Sequence, residues 1–169
     1  EEAAFYAKRK LSVLWVEPIP DVFAKLEANI RPYPKQRAVC ALLADTAGQE
    51  KLFHISNNEG RSSSVFDFSQ HKDIWPDVHY TKAVAMQTET LDRITPVDMM
   101  PVDALVIDTQ GAEMLVLKGA EKIISQVKYI KTEAADFECY AGGATAQEIV
   151  DFLRARSFRV IKKFGSASH

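Results

Sequence analysis

Four acidic residues close apolar runs in this chain: Glu17, Asp45, Asp108 and Glu133. A carboxylate at such a place can accept bonds from ribose hydroxyls, take a proton from an attacking hydroxyl, or orient an ammonium group or a metal. If the runs are parallel strands of one sheet, their carboxyl ends lie at one edge, where ligands bind in open sheets. Four acids along one edge repel one another unless a ligand or hydrogen bonds compensate them. An acid after an apolar strand is also a common way simply to end it, so each of the four has a structural reading beside the chemical one.

The elements that must position these acids follow from pattern. Residues 1–10 read as helix from the first position, with no Ser, Thr, Asp or Asn cap before them. Residues 11–16 form a continuous β-rich apolar run, suited to a strand buried on both faces. Pro18 and Pro20 force a turn, and Asp21 opens a helix with Val22, Phe23, Leu26 and Ile30 on one face. Residues 38–44 are a second buried strand, and 51–56 its hairpin partner. Residues 57–64 are a polar loop, 66–78 are irregular, and 80–86 suit another short strand. Residues 103–108 are the next buried strand, broken at Thr109-Gln110-Gly111 before a helix over 112–124. A strand over 127–133 follows. The helix over 145–156 carries a capping box, with Thr145 as cap and Glu148 three residues on. Residues 158–164 are the last strand, and the tail 165–169 frays. Strands alternating with helices predict a mostly parallel α/β sheet with helices on both faces.

Composition excludes several classes. The 169 residues suit one domain, and the net charge of −2 argues against a nucleic-acid module carried by basicity. No apolar run approaches the roughly 20 residues that cross a bilayer. With no signal-peptide pattern and only Cys40 and Cys139, far apart, the expectation is a cytoplasmic protein with neither a disulfide framework nor a zinc site.

Glu17 has the most specific reading. An acid at the end of a second strand commonly holds ribose hydroxyls, about 20 residues after a glycine-rich loop. Residues 1–10 would be the helix between that loop and this strand, which puts the loop just before Glu1.

Several segments then resemble one family in order and at compatible spacing. Leu14-Trp15-Val16-Glu17-Pro18-Ile19-Pro20 resembles the "EP-x-P" segment of the FkbM-type methyltransferases. Residues 57–64, Asn-Asn-Glu-Gly-Arg-Ser-Ser-Ser, resemble their Gly/Ser-rich loop, and Thr90-Leu91-Asp92 their "TLD". Val106-Ile107-Asp108-Thr109-Gln110-Gly111-Ala112-Glu113, followed by Val116-Leu117-Lys118-Gly119-Ala120, is similar to "KIDVEGAE…VLKGA", their strongest signature. Ile130-Lys131-Thr132-Glu133 and Glu138-Cys139-Tyr140-Ala141-Gly142 resemble the "E…lY-x-G" segment. Val106 stands where the family usually has lysine.

The resemblance implies a single, N-terminally incomplete domain over 1–169 with a Rossmann-like class I methyltransferase sheet. Its first strand and glycine loop would precede Glu1 and its last strand would follow His169. It implies S-adenosylmethionine as cofactor and methyl transfer to a hydroxyl oxygen of a sugar or secondary metabolite, with no nucleic-acid or membrane partner. Asp108 is the first candidate for the catalytic edge and Glu133 the second; Asp108 could equally be the cap of the helix from Ala112. Glu17, Asp45 and Asp108 are the cofactor-binding candidates, although a turn at 45–48 explains Asp45 as well. Asn57, Ser62, Ser63 and Trp75 are the candidates for contact with a small-molecule or glycan acceptor. Glu113 suits the first turn of a helix, and His54 a strand. His71, Asp73, Asp77 and His79 match no strong ligand spacing, and no metal is expected. A non-catalytic binding or scaffold domain lacking the cofactor loop is the alternative; a dinucleotide dehydrogenase shares the logic of Glu17 but leaves residues 108–120 unexplained.

Overall fold

The computed structural model describes residues 2–163. A short helix, α1 (Glu2–Lys8), leads to β1 (Val13–Val16), α2 (Pro20–Ile30) and β2 (Gln36–Val39). β1 and β2 pair in parallel, with Val13 opposite Gln36 and Val16 opposite Val39. Pro20 opens α2, where its missing N–H costs nothing and its fixed φ suits the first turn. Gln36 locks this unit: its amide accepts from the Trp15 indole at 3.0 Å and donates to the Ala3 carbonyl at 2.7 Å.

The strand expected over 38–44 is broken at Cys40 and Ala41. Before the break β2 pairs with β1. After it β3 (Leu42–Leu43) pairs in parallel with β5 (Tyr80–Glu89), which in turn pairs antiparallel with β4 (Glu50–Ser56). The chain thus changes partners in mid-run. Between β4 and β5 lies a short helix, α3 (His71–Ile74), and β5 is longer than its apolar pattern implied. α4 (Leu91–Ile94) and a 3-10 turn, Val97–Met99, precede β6 (Ala104–Ile107). β6 pairs in parallel with β7 (Tyr129–Thr132) across α5 (Glu113–Lys118) and α6 (Glu121–Ile124).

The result is an α/β chain with parallel pairs, divided among the described residues into ladders of two, three and two strands rather than one sheet. The expectation of a buried strand over 103–108 is corrected in part. Leu105 and Ile107 are buried while Val106 is 62% exposed, because α5 and α6 cover one face only. The core gathers on that face, where Val116, Leu117, Ala120, Ile123 and Ile124 meet Leu91, Leu105 and Ile149. Ile149 comes from α7 (Ala146–Arg154), whose capping box at Thr145 and Glu148 forms as expected. Residues 158–163 join no strand ladder, and residue 164 with the tail 165–169 lies outside the described residues.

The helix expected over 112–124 is two helices. Asp92, at the start of α4, places its carboxylate on the backbone N–H groups of Lys122 and Ile123, at 2.9 and 3.0 Å. That supplies a new N-terminal cap beyond Gly119. A Cβ on Gly119 would come within 2.1 Å of the Ala44 carbonyl oxygen, so the break is also where the helix backbone touches the end of β3. Replacing Asp92 by Ala removes the cap and is expected to cost about 1–2 kcal/mol, or about 2–8 °C in melting temperature for a chain of this size. Thermal unfolding followed by circular dichroism checks it.

Candidate active site

The site is built on the reversal between β6 and α5. Gln110 has φ 52° and Gly111 φ 96°, so the chain doubles back through two left-handed residues. A Cβ at Gly111 would stand 2.8 Å from the Tyr140 side chain, so only glycine fits there. The N–H groups of the reversal need an acceptor, and Glu113 provides it. Its Oε1 accepts from the N–H of Thr109 at 2.9 Å and of Gly111 at 3.2 Å, and from the Thr109 hydroxyl at 3.3 Å. Glu113 is only 3% exposed; burial pushes its carboxyl up from the usual range despite those bonds, and nearby Asp108 adds to the shift.

Glu113 therefore does the stabilising that a capping Asp108 would have done. Ala112 is the N-cap residue and carries no side-chain cap bond. Asp108 is exposed, and its Oδ1 accepts from Gln110 Nε2 at 2.6 Å. Glu133 stands beside it, since Ile107 is opposite Thr132 and the Glu133 N–H donates to the Ile107 carbonyl at 3.2 Å. Burial raises the Glu133 carboxyl first; Asp108 raises it further by charge and by hydrogen bonding, and Lys131 opposes.

Glu17 leaves β1 with its own N–H on the Val39 carbonyl, and its Oε1 accepts from the Ile19 N–H at 2.8 Å. Burial raises this carboxyl against the effect of that bond. Glu17 and Asp108 line one cavity of about 440 Å³, a volume of the size that holds a small ligand. Its other walls include Ile19, Leu43, Phe53, Arg61, Ser63 and Gln110.

The remaining sequence candidates fall elsewhere. Asp45 is exposed and is not in the wall, which on that side comprises Ala41, Leu42 and Leu43. Glu133 reaches the cavity only by way of Asp108. Ser62 and Ser63 are buried rather than displayed on a loose loop. The N–H of Ser62 donates to Ser56 Oγ at 3.1 Å, and Ser63 Oγ accepts from the Ser56 N–H at 3.1 Å. Only Ser63 of the two lines the cavity. Asn57 binds back to the Asp77 carbonyl and the His79 N–H. Trp75 lies off the cavity, its ring against His71 at 4.8 Å. His54 is a β4 residue stacked on Tyr80 at 4.8 Å. Among the described residues no three His, Cys, Asp or Glu side chains converge as a metal-holding group. The residue pattern did not mark Ile19, Phe53, Arg61, Gln110 or Tyr140 as site residues, although Ile19, Arg61, Gln110 and Tyr140 stand inside the family-like segments.

Residues 1–160 match the methyltransferase FkbM domain. The chain belongs to the FkbM methyltransferase family. It is also 26% identical over 162 residues to the 2-O-methyltransferase NoeI of Sinorhizobium fredii (strain NBRC 101917 / NGR234), an alignment spanning 92% of this chain and 65% of that protein. No solved structure matches significantly. The family assignment expected from residues 108–120 is thus established. Among the described residues no helix is long and apolar enough to cross a membrane.

The reversal predicts a split between two substitutions. Glu113→Ala leaves buried N–H groups unsatisfied and is expected to cost about 2–3 kcal/mol, whereas Glu113→Gln keeps a carbonyl acceptor and loses less. Because the folded carboxyl lies above its ordinary value of 4.5, the native state binds the extra proton, and stability falls as pH rises from that value through the folded one. The fall is expected to be smaller in Glu113→Gln than in wild type, the remainder coming from the raised Glu17 and Glu133 carboxyls. Urea unfolding across that pH range tests both.

Proposed function

We propose that the protein transfers a methyl group from S-adenosylmethionine to a hydroxyl oxygen of a sugar or a similar hydroxylated small molecule. The observation that carries the reading is the meeting of Glu17 and Asp108 in one cavity beyond the ends of β1 and β6. The wall suits this cofactor in kind. Glu17 matches a ribose diol and Asp108 an acceptor hydroxyl; Ile19, Leu43 and Phe53 offer apolar surface to a purine; Arg61, paired with Glu59 at 3.1 Å, lies in the same wall. The name of the S. fredii relative, a 2-O-methyltransferase, agrees with oxygen as the acceptor atom.

Glu17 holds the ribose hydroxyls, its second oxygen being free of the Ile19 bond. Bound in the cavity, the cofactor supplies a methyl group already activated by its positive sulfur. The protein's remaining task is alignment and proton removal. A neutral hydroxyl is a weak nucleophile, and Asp108, exposed at the cavity, accepts its hydrogen bond and its proton. Glu133, whose carboxyl is raised by burial and by Asp108, stands beside it at the end of β7. Ser63 and Arg61 contribute the polar wall on the side of residues 57–64.

Calorimetry on the full-length protein is expected to show S-adenosylmethionine binding, weakened by about 1.5–3 kcal/mol in Glu17→Ala through the loss of charge-assisted bonds. Unchanged affinity would remove Glu17 from the pocket. In transfer of a labelled methyl group to a panel of glycans and metabolites, Asp108→Asn is expected to lower turnover by about 10²–10⁴-fold with little effect on cofactor affinity. Full activity in that variant would leave Asp108 no part in the chemistry. A panel in which only nitrogen or carboxyl acceptors react would overturn the choice of oxygen.

A further inference from the structure

Asp108 is backed by a directed run of hydrogen bonds. A carboxylate only accepts, so the 2.6 Å bond to Gln110 fixes which end of that amide faces it: nitrogen toward Asp108, oxygen away. The outward oxygen accepts from the Tyr140 hydroxyl at 2.7 Å. The Ser62 hydroxyl lies beside the same phenol, and Ser62 Oγ accepts from Asn58 Nδ2 at 2.9 Å. From the Tyr140 hydroxyl through Gln110 each bond has a defined donor and acceptor, and the run ends on Asp108.

Gln110 is also held from behind. Its carbonyl accepts from Ser64 Oγ at 2.7 Å, and Ser64 is fully buried. Its φ of 52° is a conformation that asparagine tolerates better than glutamine. The longer side chain at a left-handed position is explained by reach, since it spans from Tyr140 to Asp108. Tyr140 is 4% exposed, with its ring against those of Phe68 and His71 at 5.7 and 5.4 Å, and its β-carbon covers Gly111.

We propose that Gln110 is a positioning residue that aims the Asp108 carboxylate, and that Tyr140, anchored in the aromatic cluster, fixes Gln110. This rests on the reading of Asp108 as the group that receives the acceptor proton. The groups around Asp108 make the donor matter. Glu133 faces it from the end of β7 and Glu113 from α5, Glu17 shares the cavity, and Cys139 and Lys131 flank Glu133. Gln110 presents an N–H to a carboxylate otherwise surrounded largely by acids. Without that donor, the Asp108–Glu133 pair is expected to hold its last proton to higher pH.

The first test, a titration, needs neither cofactor nor acceptor. In protein carrying 13C-labelled Asp and Glu carboxyls, NMR titration reads Glu133, Asp108 and Glu113 separately. Gln110→Asn keeps a residue that accepts the backbone conformation but cannot span both partners; Tyr140→Phe removes the hydroxyl alone. Either is expected to move the upper step of the Asp108–Glu133 pair up by about half to one pH unit, while the Glu113 signal and the melting temperature hold. Transfer assays on both variants are expected to show a loss in kcat of about tenfold, with cofactor affinity unchanged in Tyr140→Phe, which lies off the cavity wall. An unmoved pair in folded Gln110→Asn would overturn the proposal. So would Glu113 shifting together with the pair while the protein loses stability, since the residues would then only hold the turn. A wild-type protein that methylates no hydroxyl acceptor, with the pair still shifting in the variants, would instead remove the function proposed for Asp108 and leave the positioning intact.

Discussion

The rest of the structure hangs on a buried carboxylate that accepts the backbone of a turn. Between Ile107 and Glu113 the chain must leave a strand, reverse, and enter a helix within a few residues, and two of those residues adopt left-handed conformations. A reversal this sharp turns N–H groups inward, where no strand or helix neighbour can receive them. Glu113 receives them with one oxygen, from inside the first turn of the helix that the reversal creates. The arrangement is costly in desolvation, as the raised carboxyl records, and it persists because removing the acceptor would cost more. Its consequence reaches outward. With the turn satisfied from within, Asp108 is not consumed as a cap and stands exposed in the cavity wall.

The same constraint explains which parts of this chain its residue pattern revealed. The strand-then-acid rhythm placed Glu17, Asp108 and Glu133 at strand ends, because strand termination and edge chemistry leave a local mark. Thr145 and Glu148 announced their helix for the same reason, since a capping box lies wholly within four residues. What escaped was non-local. The run 38–44 is apolar throughout, and nothing in it reveals that Val39 belongs to one ladder and Leu42 to another. The helix over 112–124 is periodic across its break, and the break is made by Asp92, thirty residues upstream, acting on Lys122. Val106 looked like core and is exposed, because its strand is covered on one face only.

Acids gathered at one end of the fold are tolerated by being made unlike one another. Glu113 is buried and bonded to backbone. Glu17 is half-buried and tied to the Ile19 N–H. Glu133 is raised and leans on Asp108, which is itself exposed and takes the Gln110 amide. Environment thus separates groups of one chemical type into distinct roles, the general way in which a single kind of side chain is made to serve both structure and chemistry.

The hydroxyl-rich loop shows how far residue type can mislead about display. Ser62 and Ser63 invited a reading as ligand-facing groups, yet both are buried, as is Ser64 beside them. Ser64 pairs with His54 across a backbone bridge and binds the Gln110 carbonyl. Ser63 serves the Ser56 N–H at a register shift in β4, and Ser62 closes the loop on Ser56 and Asn58. A buried hydroxyl with its bonds made has little left to offer a ligand, so most of this loop's polarity is spent inside the protein. What it buys there is the placement of Gln110, and through Gln110 of Asp108. The polar groups that remain in the cavity wall then share it with apolar Ile19, Leu43 and Phe53, so the shape of the cavity counts beside hydrogen bonding in what it can hold.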